Sequence, residues 1–195
     1  MKRERDVEIV LVPFELRPSM PAEGLSASEH GLGHSEKVEE HLRRLAREGG
    51  FPLVLPDLIP NTHLALTLGE LARDAGESRH EAMHRALFGA YFGRGQDLGR
   101  RDVLLEVALA QGFDSDDVSA SWDESRFDER LEQFRHLAQH IGVGSTPTAL
   151  VCNELIIGSR PYQVIQEAVD RCLVAPLTAV DTTSSEGSTE ADAET

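Results

Sequence analysis

Hydrophobic positions divide the chain into one early strand, a helix-rich middle and a strand–strand–helix end. Residues 7–12 are dense in β-branched side chains and stop at Pro13, which predicts a buried strand of a parallel or mixed sheet. The stretch 17–33 is interrupted by prolines and glycines and is predicted to be a loop. The predicted order is therefore strand, helices, strand, strand, helix.

Five helices are predicted in the middle of the chain, where apolar residues recur at helical spacing. They run from Ser35 to Gly49–Gly50, from Asn61 or Thr62 to Gly76, and over about residues 79–92, 101–111 and 124–141. Serine and asparagine at the starts and glycine at the ends are the usual capping residues. The last helix is expected to turn Leu131, Phe134, Leu137, Ala138 and Ile141 inward.

The C-terminal part changes to a strand pattern. Thr148–Cys152 and Glu154–Ile157 predict two strands joined tightly at Asn153, and Pro161 opens a last helix with one apolar stripe. From residue 176 to 195 the chain is rich in Thr, Ser, Glu, Asp and Ala and has no aromatic residue. This composition predicts a disordered acidic tail.

The charge of the chain limits the classes of partner. It carries 34 acidic and 19 basic residues and a formal net charge of -15, which argues against nucleic acid and against an anionic membrane surface as partners. No apolar run has the length of a membrane span or follows the N-terminus as a signal core, so a cytoplasmic protein is expected. No nucleotide fingerprint or cofactor site is predicted, and the sequence leaves the oligomeric state open.

The two cysteines, Cys152 and Cys172, are not part of a C-x-x-C and are expected to be small buried apolar side chains. Five residues, His80-Glu81-Ala82-Met83-His84, form the pattern H-E-x-x-H on a predicted helix. This spacing can place two imidazoles on one helical face for zinc, with the glutamate as general base. Because no third ligand follows at a suitable spacing, a zinc metalloprotease is a remote alternative, and no metal ligand is assigned.

Several stretches of sequence carry a family resemblance. They are Pro13-Phe14-Glu15-Leu16 with Pro18, Met20-Pro21 and Glu23-Gly24; Pro60-Asn61-Thr62; Ala86-Leu87-Phe88 with Ala90-Tyr91-Phe92, Gly95 and Asp97; and Gly144-Ser145-Thr146-Pro147-Thr148. In this order they resemble the FrnE-type subgroup of the DsbA family of thiol-disulfide oxidoreductases. The likeness runs from about residue 7 to residue 173.

The resemblance implies an α/β, thioredoxin-like fold over residues 1–175, with a helical domain inserted at about 35–141. It also implies that Pro147 is the active-site proline after a cis peptide bond and that Thr146 presents its backbone to a substrate peptide. The expected substrate is a peptide or protein that carries thiols or a disulfide. The aromatic residues Phe88, Tyr91, Phe92 and Trp122 are either core residues or the lining of a substrate groove.

The family pattern starts with a strand and a C-P-W-C-type motif, and this chain starts after both. The chain is therefore interpreted as an N-terminally truncated oxidoreductase or isomerase. Three explanations for the missing segment are open: a misplaced start, a decayed gene, or a domain that works without thiol chemistry. Loss of the first strand is expected to leave residues 7–12 and Thr148–Cys152 without a neighbour, unless they pair with each other. Two further alternatives are a redox-inactive peptide-binding module and a relative of the glutathione-dependent hydroxychromene carboxylate isomerases.

Overall fold

The computed structural model describes residues 7–174 and divides the chain into two compact units, residues 1–146 and 147–195. In chain order the elements are β1 (Leu25–Ser26), α1 (Glu36–Gly49), β2 (Leu58–Ile59), α2 (His63–Asp74), α3 (Glu77–Phe88), a π-helical turn (Gly89–Gly93), α4 (Arg101–Ala110), α5 (Ser115–Asp123), α6 (Asp128–His140), β3 (Thr148–Val151), β4 (Glu154–Ile157) and α7 (Tyr162–Val174). Between residues 7 and 174, none of these helices combines the length and the apolarity needed to cross a membrane.

Helices α2 to α5 surround the core of the first unit. Leu68, Met83, Leu104 and Val118, one from each helix, are completely enclosed. The Trp122 ring is buried in the same core, and its indole N–H donates to the backbone oxygen of Leu64 at 3.1 Å. Burial of these apolar side chains is the main force that holds the helices together.

The five predicted helices are confirmed, but the sequence interpretation missed α5. This helix begins after Asp114, whose carboxylate accepts hydrogen bonds from the backbone N–H groups of Asp116 and Asp117. The predicted helix over 124–141 therefore begins only at Asp128. Leu137, which was expected to point inward, is exposed.

The strand predicted at residues 7–12 does not form. No regular element is assigned there, and the four strands within the described range pair only as β1 with β2 and β3 with β4. Without a neighbouring strand the segment has no ladder to join, so Ile9, Val10 and Val12 are exposed instead of buried. The loop predicted over 17–33 is confirmed apart from the two-residue strand β1. The predicted tail, 176–195, lies outside the described residues.

The second unit contains a hairpin and one helix. β3 and β4 are antiparallel, with Thr148 opposite Ile157 and Val151 opposite Glu154, so Cys152 and Asn153 form a two-residue turn. Both predicted strands are confirmed, although the first is one residue shorter than expected. Helix α7 contacts β3, and Ile156, Ala168 and Val169 are buried.

Candidate functional site

A row of aromatic side chains, one half-buried and two exposed, runs along α3 and into the π-helical turn. We call His84, Phe88 and Phe92 the aromatic strip. The ring centroids of His84 and Phe88 are 4.5 Å apart, and those of Phe88 and Phe92 are 5.7 Å apart. Phe88 is 53% exposed and Phe92 is 38% exposed. Neighbouring aromatic rings that remain in contact with water are candidates for binding an apolar ligand.

The π-helical turn fixes the far end of the aromatic strip. The Tyr91 hydroxyl donates to the backbone oxygen of Leu58 at 2.8 Å, and the backbone N–H of Val54 donates to the oxygen of Phe92 at 2.6 Å. Ala90 is buried, so the turn packs on the core while Phe92 stays outside. Turns of this kind are frequent at functional sites.

A small open cavity lies beside His84. It has a volume of about 280 Å³ and is lined by Ile9, Leu11, Glu81, His84 and Arg85. Glu81 and Arg85 form an ion pair at 3.5 Å across one helical turn. Burial, together with the nearby Arg85 charge, lowers the pKa of His84, so its imidazole is neutral at physiological pH. The cavity can therefore take a small apolar or aromatic group next to a neutral imidazole.

The segment of residues 7–12, which contributes Ile9 and Leu11 to the cavity, is held by an arginine. The Arg73 guanidinium, on α2, donates to the backbone oxygen of Leu11 and, through Nε, to the carboxylate of Glu70 at 2.9 Å. Glu70 is almost completely buried. This arrangement fixes the position of Leu11, although the segment belongs to no sheet.

The H-E-x-x-H pattern does not form a zinc site within the described residues. His80 packs into the core, where burial lowers its pKa. Across residues 7–174 the structure brings together no group of three or more His, Cys, Asp or Glu side chains that could hold a metal ion. A catalytic zinc site needs three protein ligands, so the pattern lacks its third ligand in this range.

Thr146 and Pro147 lie where the first unit ends and the second begins, and both side chains are exposed. The Pro147 backbone oxygen accepts a hydrogen bond from Gly158 N–H at 2.8 Å, which extends the β3–β4 ladder by one step. Cys152 lies at the opposite end of β3, about 16 Å away along an extended chain. The roles implied for Thr146 and Pro147 stay predictions.

The expectation that both cysteines are buried apolar side chains is wrong. Cys152 and Cys172 are joined in a disulfide, with their Cα atoms 6.1 Å apart. Cys152 is exposed in the hairpin turn, and Cys172 is half-buried on α7. A spacing of 20 residues in the sequence gave no sign of this pairing, because it arises from packing of α7 against the hairpin.

A family model for the DSBA-like thioredoxin domain matches residues 1–170 of this chain. The chain belongs to that family. The uncharacterized protein YwbO of Bacillus subtilis (strain 168) is 25% identical over 168 residues, which cover 85% of this chain and 82% of that protein. These matches confirm the predicted DsbA-like, thioredoxin-type α/β fold.

Two solved structures share the fold. A probable DsbA oxidoreductase from Streptomyces coelicolor superposes with a TM-score of 0.72 at 21% identity, over 88% of this chain and 78% of that chain. A 2-hydroxychromene-2-carboxylate isomerase superposes with a TM-score of 0.64 at 19% identity, over 79% and 78% of the two chains. At this level of identity the two structures establish the fold of the chain, and its activity is a separate question.

The aromatic strip was foreseen only in part. The sequence left Phe88, Tyr91, Phe92 and Trp122 as either core or groove residues, and the structure separates them: Trp122 is in the core, whereas Phe88 and Phe92 are exposed. The signal available in the sequence was the spacing of His84, Phe88 and Phe92 at i, i+4 and i+8. The contribution of Ile9 and Leu11 to the cavity could not be predicted from the sequence, because both residues were expected to lie in a strand of a sheet.

Proposed function

We propose that this chain is the substrate-binding part of a thiol-disulfide oxidoreductase, and that it binds extended apolar segments of cysteine-containing proteins. The observation that carries the proposal is the exposed aromatic strip beside the cavity. Membership of the DSBA-like family supports the class of reaction. The family's catalytic thiolate is not among these 195 residues, because they contain no C-x-x-C.

The dimensions of the aromatic strip suit an extended peptide. Phe88 and Phe92 are four residues apart along a helical backbone, a rise of about 6 Å. In an extended chain, side chains on the same face recur about every 6.8 Å. Two apolar side chains of a substrate can therefore lie on the two phenylalanine rings, while a neighbouring one enters the cavity at His84. Burial of both rings then favours the complex.

Thiol-disulfide exchange proceeds by thiolate attack on a disulfide sulfur, through a mixed-disulfide intermediate. In the proposed complex the backbone of Thr146 pairs with the substrate backbone next to the attacked sulfur, as in strand addition to a sheet edge. Pro147 helps by fixing the chain direction there, since proline has a restricted φ and no N–H of its own. The proposal thus assigns side-chain recognition to the aromatic strip and treats the backbone contact at Thr146 as a separate contribution with its own test.

The first test is peptide binding by the full 195-residue chain, followed by fluorescence anisotropy. The probe is an unfolded, positively charged peptide with alternating leucine and phenylalanine and with serine in place of cysteine. Replacement of Phe88 and Phe92 together by Ala is expected to weaken binding at least about tenfold, since centrally placed aromatic anchors commonly contribute more than 1 kcal/mol each. Leu109→Ala is the matched control, because Leu109 is 51% exposed on α4, outside the strip. Equal affinity for all three proteins would contradict the proposal.

A second pair of variants tests the backbone contact. Thr146→Pro removes one backbone N–H and should reduce peptide binding, whereas Thr146→Ala keeps the N–H and should bind like the unmodified chain. Circular dichroism establishes that both variants are folded. If Thr146→Ala loses as much affinity as Thr146→Pro, the side chain and not the backbone carries the contact.

A second candidate function is isomerisation of a small aromatic compound, as in the hydroxychromene carboxylate isomerases. The small cavity with a neutral imidazole and an arginine in its lining favours this candidate. Binding of 1-naphthoate at the cavity, without any binding of the peptide, would select it over the oxidoreductase proposal.

A peptide-binding module without redox activity is the third candidate function. It would be selected if the chain binds the peptide and the DNA upstream of Met1, read in frame, encodes no C-x-x-C.

A further inference from the structure

The second unit contains a thiol pair that is separate from the site proposed above. Cys152 and Cys172 are the only cysteines of the 195-residue sequence, and the structure joins them. Their Cα atoms are 6.1 Å apart, within the ordinary range for disulfides. The pair lies wholly between Pro147 and Val174, so it shares no residue with the aromatic strip or with Thr146.

The two cysteine residues differ in exposure. Cys152 is exposed at the tip of the β3–β4 hairpin, while Cys172 is half-buried on α7. Attack on a disulfide depends on which sulfur the incoming thiolate can reach. The exposed position makes Cys152 the point of attack and Cys172 the leaving thiolate.

Backbone conformation does not explain a cysteine at the hairpin tip. Cys152 has a φ of 52°, in the left-handed region, and it is the first residue of a two-residue turn. Glycine is the usual residue at such a position, because a Cβ is disfavoured there. The role that distinguishes cysteine from glycine at this site is the bond to Cys172.

An ion pair lies next to the disulfide. Arg171, the neighbour of Cys172, donates to both carboxylate oxygens of Glu154 at 2.9 and 2.7 Å, and Glu154 begins β4 directly after the turn. Both side chains are exposed. The disulfide and this ion pair therefore join α7 to the hairpin at the same place.

We propose that Cys152–Cys172 is a second thiol-disulfide exchange site, which reacts with small thiols or with dithiol proteins. The incoming thiolate forms a bond to Sγ of Cys152, the Cys152–Cys172 bond breaks, and Sγ of Cys172 leaves with the electron pair and takes a proton from water. A second thiol then attacks the mixed disulfide and releases Cys152. In sum, the chain's disulfide gains two electrons and two protons, and two thiols become one disulfide. The reverse sequence oxidises the chain.

The test equilibrates the full chain with mixtures of reduced and oxidised glutathione, traps free thiols with a maleimide and weighs the products. We expect one transition in which both cysteines change together from disulfide to dithiol within the range of glutathione mixtures. Independent labelling of the two cysteines in every mixture would overturn the proposal, and so would a disulfide that no glutathione mixture reduces.

Single-cysteine variants test the direction of attack. With oxidised glutathione, Cys172→Ser should form the mixed disulfide at Cys152 several-fold faster than Cys152→Ser forms it at Cys172. Equal rates, or a faster reaction at Cys172, would contradict the assignment. The peptide-binding test uses other residues, so failure of either proposal is visible without the other.

Discussion

At the scale of single residues, the carboxylate of Glu70 is the most deeply buried ionisable group among the described residues. It is 1% exposed, and it accepts hydrogen bonds from Arg73 at 2.9 Å and from Arg130 of α6 at 3.3 Å. A buried carboxylate that loses its partner is costly, whereas an exposed ion pair contributes little. Arg73 therefore stabilises α2 and, through Leu11, also fixes one side of the cavity.

The first prediction concerns Arg73. Arg73→Met is expected to lower the free energy of unfolding by about 3 kcal/mol, because Glu70 then keeps only the longer contact to Arg130. Arg43→Met, which breaks an exposed ion pair with Glu39, should change it by less than about 1 kcal/mol. Urea denaturation measures both. Similar effects of the two substitutions would show that Arg73 does not stabilise the buried carboxylate of Glu70.

His63 is the second residue with a strong electrostatic role. Its two ring nitrogens lie 3.2 Å from the carboxylates of Glu15 and Asp128. The hydrogen bond to Glu15 is the main cause of a raised pKa for His63, and Asp128 acts in the same direction. The contact joins the segment before β1 to the first residues of α2 and α6, so protonation of His63 strengthens their association.

This arrangement predicts a pH dependence of stability. Because folding raises the pKa of His63, its contribution is fully present below the ordinary pKa of 6.5 and is lost as the pH rises through the folded pKa. The loss of unfolding free energy on Glu15→Gln should therefore be larger at about pH 5.5 than at about pH 9. His80 and His84 have lowered pKa values and also titrate. They do so in the unmodified chain and in the Glu15→Gln variant alike, so their effects on stability cancel when the two proteins are compared at one pH. A difference that is independent of pH would contradict the prediction.

At the scale of elements, the helices were predictable and the first strand was not. Helical spacing and end residues are local signals, so α1 was expected up to Gly49–Gly50, where the structure ends it with Gly50 at a φ of 69°. A strand depends on a neighbour that the local sequence does not contain. Residues 7–12 have the composition of a buried strand, yet they have no partner among the described residues.

Helix α5 was missed although its start carries a capping signal. Asp114 precedes it, but the run Asp114-Ser115-Asp116-Asp117 has no apolar residue, and the apolar pair Val118 and Trp122 is short. The structure shows the Asp114 carboxylate accepting from two backbone N–H groups. The element thus depends on its cap and on burial of Trp122, which only the folded core reveals.

The cap gives the third prediction. Asp114→Ala should lower the free energy of unfolding by about 1 kcal/mol, because two backbone N–H groups lose their acceptor. Asp114→Asn keeps a capping oxygen and should stay close to the unmodified chain. Thermal or urea unfolding distinguishes the two. Equal losses for both variants would mean that the negative charge, and not the hydrogen bonds, is what matters at the start of α5.

At the scale of the whole molecule, the two units differ in what stabilises them. The first has a core built from four helices, while the described part of the second has one hairpin and one helix with Ile156, Ala168 and Val169 buried. A unit as small as this gains little from burial alone. The disulfide closes a loop across a separation of 20 residues, which is worth about 3 kcal/mol by loop-closure entropy.

The fourth prediction follows from this difference. Reduction of Cys152–Cys172 should speed hydrogen exchange of backbone amides in β3, β4 and α7, with little change in α2 to α5. Mass spectrometry of peptic fragments compares the reduced and oxidised chains. Equal exchange in the second unit under both conditions would show that the ion pair between Arg171 and Glu154 and the apolar contacts are sufficient without the disulfide.

The central claim is that an extended peptide binds at the aromatic strip of a DSBA-like chain, and photo-crosslinking tests it most directly. The full chain is irradiated with the leucine–phenylalanine peptide carrying one benzophenone side chain, and the crosslinked residues are mapped by mass spectrometry. The account predicts crosslinks at His84, Phe88 and Phe92 and at the cavity residues Ile9 and Leu11, with loss of most crosslinks when Phe88 and Phe92 are both replaced by Ala. Crosslinks concentrated on other surfaces, and unaffected by that replacement, would contradict it.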